Sequence, residues 1–299
     1  MNVVSAQSSP DSARAARKRY LRWRFFRHRA GMVGALLVTI VVIGGVFARW
    51  LSPYDPTVIA MDHALEPPNA QHVLGTDAFG RDVLSRVMHG AGFSLQVGVV
   101  SRLLALLSGT FLGLLAGYYG KRTDQIVMRL ADVTLAYPGL LLLIAVVAAV
   151  GPSKVSLFIA LGVVGWAGVA RLVRSQVLSL KEREFVTAIR SLGAANSRVI
   201  LRHVLPNVLT PILVIFSMGL GASIMAESSL SFLGLGAQPP QPSWGSMISG
   251  GLDYLRVAPW LSLAPGIVVT LTVLGFNLVG DALRDLYDPK LGRTQRRVT

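Results

Sequence analysis

The sequence predicts an all-α, polytopic membrane protein with six transmembrane helices, and three observations carry that prediction. Six apolar stretches are each long enough to cross a hydrocarbon core of about 30 Å, which takes about 20 helical residues. Charged residues make up only 15% of the 299 residues and apolar residues 52%, against a charged share of about 25% in ordinary soluble domains. The Lys and Arg residues, which bring the formal net charge to +14, fall between the apolar runs and concentrate in alternating connections. Nucleic-acid binding would need those cations gathered on one soluble surface, so it is excluded. The mean hydropathy of +0.55 agrees. Without cysteine the chain has no disulfide framework, thiolate nucleophile or Cys-containing metal site.

Residues 1–13 are polar and Ser/Ala-rich and are expected to be disordered. The basic stretch from Arg14 to Arg29 reads either as a topology signal or as a segment lying on an anionic leaflet. The first span is expected over residues 31–48. Its basic lead and Val46-Phe47-Ala48 resemble a cleavable signal peptide, but the long lead and Trp50 as an interfacial anchor favour an uncleaved span. The other spans are expected over residues 93–118, 126–150, 155–178, 208–233 and 260–280. Lys121, Arg122, Arg129, the cations from Arg171 to Arg202 and those from Arg284 to Arg297 share the side of the N-terminal basic segment. By the positive-inside rule both termini are cytoplasmic and the long connections 51–92 and 234–259 face outward.

The first outward loop ends in HVLGTDAFGRDVLSR, residues 72–86. Asp77 suits a helix N-cap, and Asp77 with Arg81 and Asp82 with Arg86 are acid-before-base pairs at four-residue spacing, so a short charged helix is expected before the second span. Such pairs are commonly a solvated helix face; their functional alternative is an outer gate.

Within the spans, Gly109, Gly113 and Gly117 recur on one face with Ser101 and Ala105 above them, a small-residue stripe that lets two helix backbones approach closely in lipid. Pro138 is expected to kink the third span. Arg102 costs about 2.5 to 3.5 kcal/mol at membrane depth, so it either snorkels to headgroups or lines a solvated pathway. Glu227 raises a similar choice, between substrate contact and a hydrogen-bonded helix-helix contact near Ser228, Ser229 and Ser231. Gln238 to Trp244 are expected near the outer mouth, with Pro239, Pro240 and Pro242 alternatively stiffening that connection.

The segment EFVTAIRSLGAANSRVILRHVLPN, residues 184–207, lies between two apolar runs and is basic and amphipathic. Phe185, Ala188, Ile189 and Leu192 fall at helical spacing as one apolar face, with Glu184 opening the helix. Gly193 stops it, Asn196 suits the cap of a second helix, and Pro206 marks entry to the fifth span. A helix of two or three turns does not hold itself together in water, so that face must be buried against a soluble partner or the membrane surface. Enzyme chemistry finds no support. His28, His63, His72, His89 and His203 fall in connections or at span ends, and no base or metal-ligand set sits at membrane depth. GYYGKRT, from Gly117, lacks the spacing and the Ser/Thr of a phosphate-binding loop. We therefore assign no catalytic, cofactor-binding or metal-ligating residues. A passive channel is the remaining alternative class, and it has no need of a docking segment.

This segment resembles the cytoplasmic coupling loop of importer-type ABC permeases, in which EAA, three residues, Gly, nine residues and I-x-L-P recur. Gly193, Leu205 and Pro206 match that spacing and Ala188 matches the central alanine, while Thr187, Ile189 and His203 depart from it. HVLGTDAFGRDVLSR, AYPGLLLLI, SLSFLGLGAQPPQPSWG and APWLSLAPG followed by FNLVGDALRDLYDP are similar to the C-type permease of the dipeptide/oligopeptide/nickel importer family, from about Arg22 to Pro289.

The resemblance implies a type I ABC importer permease fold with a coupling helix, located in a bacterial or archaeal cytoplasmic membrane. Its units would be a cytoplasmic basic segment 1–30, a first transmembrane helix 31–50, an extracytoplasmic loop with short helices 51–92, a five-helix core 93–285 with the coupling loop 179–207 and outer loop 234–259, and a cytoplasmic tail 286–299. The implied partners are a homologous B-type permease, two ABC ATPases that bind the ATP and Mg, an extracytoplasmic substrate-binding protein and the lipid membrane. Coupling would fall to Glu184, Phe185, Ala188, Ile189, Leu192, Gly193, His203, Leu205 and Pro206. Arg102, Glu227, Asp77, Arg81 and Asp82 would be pathway or outer-gate candidates. Di- or oligopeptides are the expected substrates, with nickel chelates, glutathione or antimicrobial peptides as alternatives.

Overall fold

Long apolar helices dominate because a backbone in hydrocarbon must satisfy its own hydrogen bonds. The computed structural model describes residues 24–287. Among them the only extended pairing is an isolated bridge between Thr76 and Asp82. Five helices are long and apolar enough to cross a membrane, and a sixth crossing results when one sharply bent pair is taken together. The expected disorder of residues 1–13, the basic lead up to Trp23 and the tail after Tyr287 lie outside the described residues.

Helix α1 spans Arg29–Val46 and is capped by His28, whose Nδ1 accepts from the Gly31 N–H at 3.0 Å. Helix α2 spans Val83–Tyr119. At 1.5 Å per residue it is about 55 Å long, so it projects well beyond the bilayer. It begins ten residues before the expected span, with no separate charged helix ahead of it. Gly120 at φ 65 and Lys121 at φ 48 then turn the chain sharply into α3, Lys121–Ala136.

The kink expected at Pro138 is a full break. Helix α4, Gly139–Val150, lies at 95° to α3. Proline supplies no N–H and pushes Tyr137 into extended backbone, φ −88 and ψ 143, so helical bonding ends at Ala136. Helix α5 follows over Lys154–Lys181, capped by the Ser153 hydroxyl. Arg171 and Arg174 on α5 pair with Asp132 and Asp124 on α3. The amphipathic α3 is thereby tied along α5.

The centre of the bundle is the seam between α2 and α5. A Cβ added to Gly113 would lie 2.7 Å from the Ala170 carbonyl oxygen, and one added to Gly117 would lie 2.7 Å from Val177 Cβ. Gly109 meets Trp166 and Val169 in the same way. The small-residue stripe is thus a packing surface for the ridge Val169, Val173 and Val177, all buried. Helix α6, Glu184–Ser191, is short; α7, Asn196–Phe232, is long and carries a π turn over Ile200–Val204. There the Leu205 N–H reaches back to the Ile200 carbonyl, and this one-residue shift precedes Pro206, which has no N–H to continue the ordinary ladder.

The chain closes with α8, Trp244–Gly251, and α9, Trp260–Tyr287. The Trp244 side chain is fully buried, and its Nε1–H donates to the Val87 carbonyl on α2 at 3.1 Å. Trp260 Nε1–H donates to the Thr76 carbonyl at 3.2 Å. These bonds place the loops 52–82 and 233–259 together at one end of α2, opposite the end that carries α6. Helix α1 packs on α9 with its Gly34 against Gly275 and Leu278.

If the seam holds the bundle together, Gly113→Leu is expected to lower stability by about 1–3 kcal/mol through overpacking. Thermal unfolding in detergent checks this. Gly44→Ala, where an added Cβ meets nothing within 4 Å, is expected to leave the midpoint unchanged.

Candidate functional site

Three helices, α2, α5 and α7, meet beneath α6. Lys181 Nζ donates to the Tyr118 carbonyl at 2.7 Å, the Tyr118 hydroxyl donates to Asn196 Oδ1 at 2.9 Å, and the Arg190 guanidinium lies 5.9 Å from the Tyr118 ring centre. Tyr118 is buried beneath the loop. Asn196 is therefore not the helix cap that its position suggested; Ala195 occupies that place and Asn196 is the first helical residue.

The apolar face of α6 is split in two. Val186 is fully buried in a cluster with Leu114, Tyr118, Val173, Val177 and Val199, with Ile189 packed at its edge. Phe185 is 42% exposed and Leu192 88% exposed. The expected single face of Phe185, Ala188, Ile189 and Leu192 is thus corrected: Ile189 turns toward the chain's own core with Val186, while Phe185, Ala188 and Leu192 face away from it. Sequence reasoning missed Val186. The signal was available in Val186 and Ile189 at three-residue spacing, but nothing in the sequence ranks that stripe above the neighbouring one.

Gly193 ends α6 as expected. Its φ of 80 lies in the left-handed region, its N–H donates to the Arg190 carbonyl at 3.0 Å, and the Ala194 N–H reaches the Ile189 carbonyl at 3.4 Å, which closes the C-terminal turn. An added Cβ at Gly193 meets nothing within 4 Å. Glu184 is the acidic residue in the first turn, where it favours the helix dipole. His203 sits in the π turn, half-buried, and its carbonyl accepts from Asn207 Nδ2 at 2.6 Å. Leu205 and Pro206 follow it into the straight part of α7.

At the opposite end the predicted pairing of charges is exchanged. Asp82, not Asp77, caps α2; its Oδ2 accepts from the Ser85 N–H and hydroxyl, each at 2.7 Å. Asp82 makes no pair with Arg86 and instead meets His72 Nδ1 at 3.0 Å. Asp77 takes both arginines, Arg81 Nε at 2.7 Å and Arg86 Nε at 3.3 Å, while its Oδ1 accepts from the Phe79 and Arg81 N–H groups. These residues form a tight turn, and the side chains of Asp77, Arg81 and Arg86 are mostly buried. The solvated helix face expected here is absent. They line a cleft of about 260 Å³ with Asp253 and Tyr254 from the other loop.

Arg102 does not stand free. Its Nη2 donates to the Ile215 carbonyl on α7 at 2.6 Å, its guanidinium covers Gly219, and its Nε is buried without a partner. Gly219 provides the room, since any Cβ there would collide with the guanidinium. Glu227 is fully buried; Ser231 Oγ donates to its Oε1 at 2.6 Å and Ser228 Oγ lies 3.5 Å from Oε2. Ser229 takes no part, because its hydroxyl donates to the Met225 carbonyl. Glu227 is internal to this chain, and both of these serine contacts lie within α7 rather than between helices.

Among the described residues the structure is a bundle of helices long and apolar enough to cross a membrane, and it carries at one end a short helix with apolar residues turned outward. Residues 109–293 match the profile of the binding-protein-dependent transport system inner membrane component, and residues 18–68 match the N-terminal TM domain of oligopeptide transport permease C. The chain is similar to the dipeptide transport system permease protein DppC of Alkalihalophilus pseudofirmus, 44% identical over 265 residues, covering 89% of this chain and 87% of that one. It is also similar to the di/tripeptide transport system permease protein DppC of Pseudomonas aeruginosa, 42% identical with 90% and 91% covered. A third relative is the glutathione transport system permease protein GsiD of Escherichia coli, 44% identical with 94% and 93% covered. The chain belongs to the family of binding-protein-dependent inner-membrane transport permeases.

If Val186 seats α6, Val186→Asp places an unpaired carboxylate in the apolar cluster at a cost of at least about 2 kcal/mol. Trypsin is then expected to cleave at Arg183 and Arg190 several times faster than in the parent protein. Leu192→Ala, on the outward side, is expected to leave the cleavage rate unchanged.

Proposed function

We propose that this chain is one of two permease subunits of an ATP-driven importer of di- or oligopeptides and that it forms half of the translocation pathway. The observation that carries the reading is the seating of α6: Val186 fixes the helix to α2, α5 and α7, while Phe185, Ala188 and Leu192 remain turned outward with Gly193 beside them. A helix held in this way moves as part of the bundle. Two cytoplasmic ATPases, which bind the ATP and Mg, dock on this surface and on the matching one of a homologous B-type permease. Their closure pushes α6 sideways, and the push passes through Tyr118 and Asn196 into α2 and α7, switching the pathway from inward-facing to outward-facing.

The orientation follows the excess of Lys and Arg at the α6 end, which puts both termini and the loop 179–207 in the cytoplasm of a bacterial or archaeal cell. The loops 51–92 and 234–259 then face outward and receive an extracytoplasmic substrate-binding protein over the cleft near Asp77, Arg81 and Arg86. In this reading the chain binds no nucleotide, and ATP hydrolysis falls to the two ATPases. The peptide substrate rests on the names of the two DppC relatives. Glutathione, itself a tripeptide, is the second reading, and the GsiD relatives at 44% identity favour it.

Gly193→Asp tests the docking surface. It puts a side chain where φ is 80 and a carboxylate beside Leu192. Peptide uptake by the complete complex is expected to fall at least about tenfold, as a loss of about 1.4 kcal/mol or more in coupling implies, with membrane insertion unchanged. Uptake at the parental rate by the inserted variant would overturn the assignment of α6 to coupling.

A further inference from the structure

The turn ahead of α2 holds a group of side chains that transport mechanics leaves unused. His63, Glu66 and His72 each present one ligand atom within 4.8 Å of the other two. His63 Nδ1 lies 2.7 Å from Glu66 Oε1, and Asn69 Nδ2 donates to Glu66 Oε2 at 3.2 Å, which orients the carboxylate.

The frame behind these groups is rigid. Thr76 is fully buried. Its hydroxyl donates to the His63 carbonyl and accepts from the Glu66 N–H, and its own N–H donates to the Glu66 carbonyl. One residue therefore fixes the backbone at two of the three candidate ligands. His72 is buried and is held through Nδ1 by Asp82 Oδ1, while Oδ2 of the same carboxylate caps α2. An acceptor at Nδ1 leaves the His72 lone pair on Nε2, and a carboxylate behind the far nitrogen is the arrangement that orients metal-bound histidines. A cleft of about 430 Å³, lined by Tyr54, Asp55, His63, Gln71, His72 and Asp82, opens at the group.

We propose that His63, Glu66 and His72 form a binding site for one divalent transition-metal ion of the zinc type, with Asp82 positioning His72. Two imidazoles and one carboxylate form a donor set suited to zinc, and imidazole favours zinc, nickel and copper over magnesium and calcium. Bonds of about 2.0–2.2 Å at tetrahedral angles place ligand atoms about 3.4 Å apart. The half-exposed His63 ring closes the difference by rotating. The ion replaces the hydrogen bond between His63 and Glu66 with one coordinate bond to each, and the Nδ1 proton of the neutral imidazole is carried by water to Nε2, so His63 binds as a neutral ligand. Water from the cleft completes the coordination. A bound ion ties the turn 61–72 through His72 and Asp82 to the first turn of α2.

The test is calorimetric titration of Zn²⁺ into the full-length chain, purified without a histidine tag, stripped with EDTA and held in lipid nanodiscs. One ion per chain is expected. His63→Ala and Glu66→Gln are each expected to weaken binding at least about tenfold. His89→Ala is expected to change nothing, because His89 Nδ1 is taken by the Ser85 carbonyl outside the group. Hydrogen exchange over residues 61–76 is expected to slow with Zn²⁺ in the parent protein and not in Glu66→Gln, which keeps the side-chain shape if His63→Ala disturbs the turn. Absence of saturable binding, or stoichiometric binding untouched by both variants, would overturn the site.

Discussion

The close approach of α2 and α5 is the constraint on which the rest of the structure depends. Lipid tails are as apolar as leucine, so helices in a membrane associate by fit rather than by escape from water. The fit here is a row of glycines on α2 against a row of valines on α5. With the two backbones this near, Tyr118 at the end of α2 lies where Lys181 and Asn196 both reach it. The floor beneath α6 exists because the seam above it is tight.

Because α2 is continuous over 37 residues, it joins the two ends of the molecule as one rod. One end is fastened by Trp244, Trp260 and the Asp82 cap, the other by Tyr118 and Val186. Both fastenings pair large aromatic surface with hydrogen bonds to backbone carbonyls, and both use side chains from remote parts of the sequence. The two ends of the molecule are therefore joined through one continuous helix. The polar residues at membrane depth add contacts within the bundle: Arg102 bonds α2 to α7, and Glu227 is enclosed by its own serines.

The sequence was most legible where one physical rule dominated. The five longest spans lie where hydropathy put them, to within a turn or two except for the outer end of α2 and the start of α7. The first of these exceptions has a clear cause: residues 83–92 are mixed in polarity, and packing against α8 and the first loop buries them. Gly193 and the break at Pro138 were readable because positive φ and a missing N–H are properties of the residues themselves. The charge pairs of the turn were misread. Four-residue spacing predicts pairs only on a helix, and residues 77–82 form a turn in which Asp77 gathers both arginines and Asp82 goes to His72.

By itself the sequence determined the solvent and the positions of the breaks, since each of these follows from the transfer energy or backbone freedom of residues taken in order. The short helix α6 was legible in the same way, as a basic segment too short to stand alone. Only the tertiary structure decided which side of that helix is committed inward, because Val186 and Leu192 are equally apolar and differ only in what surrounds them. The grouping of His63, Glu66 and His72 was decided there as well. Their separation along the chain carries no geometric meaning until the buried Thr76 and the Asp82 cap fold the turn that brings them together.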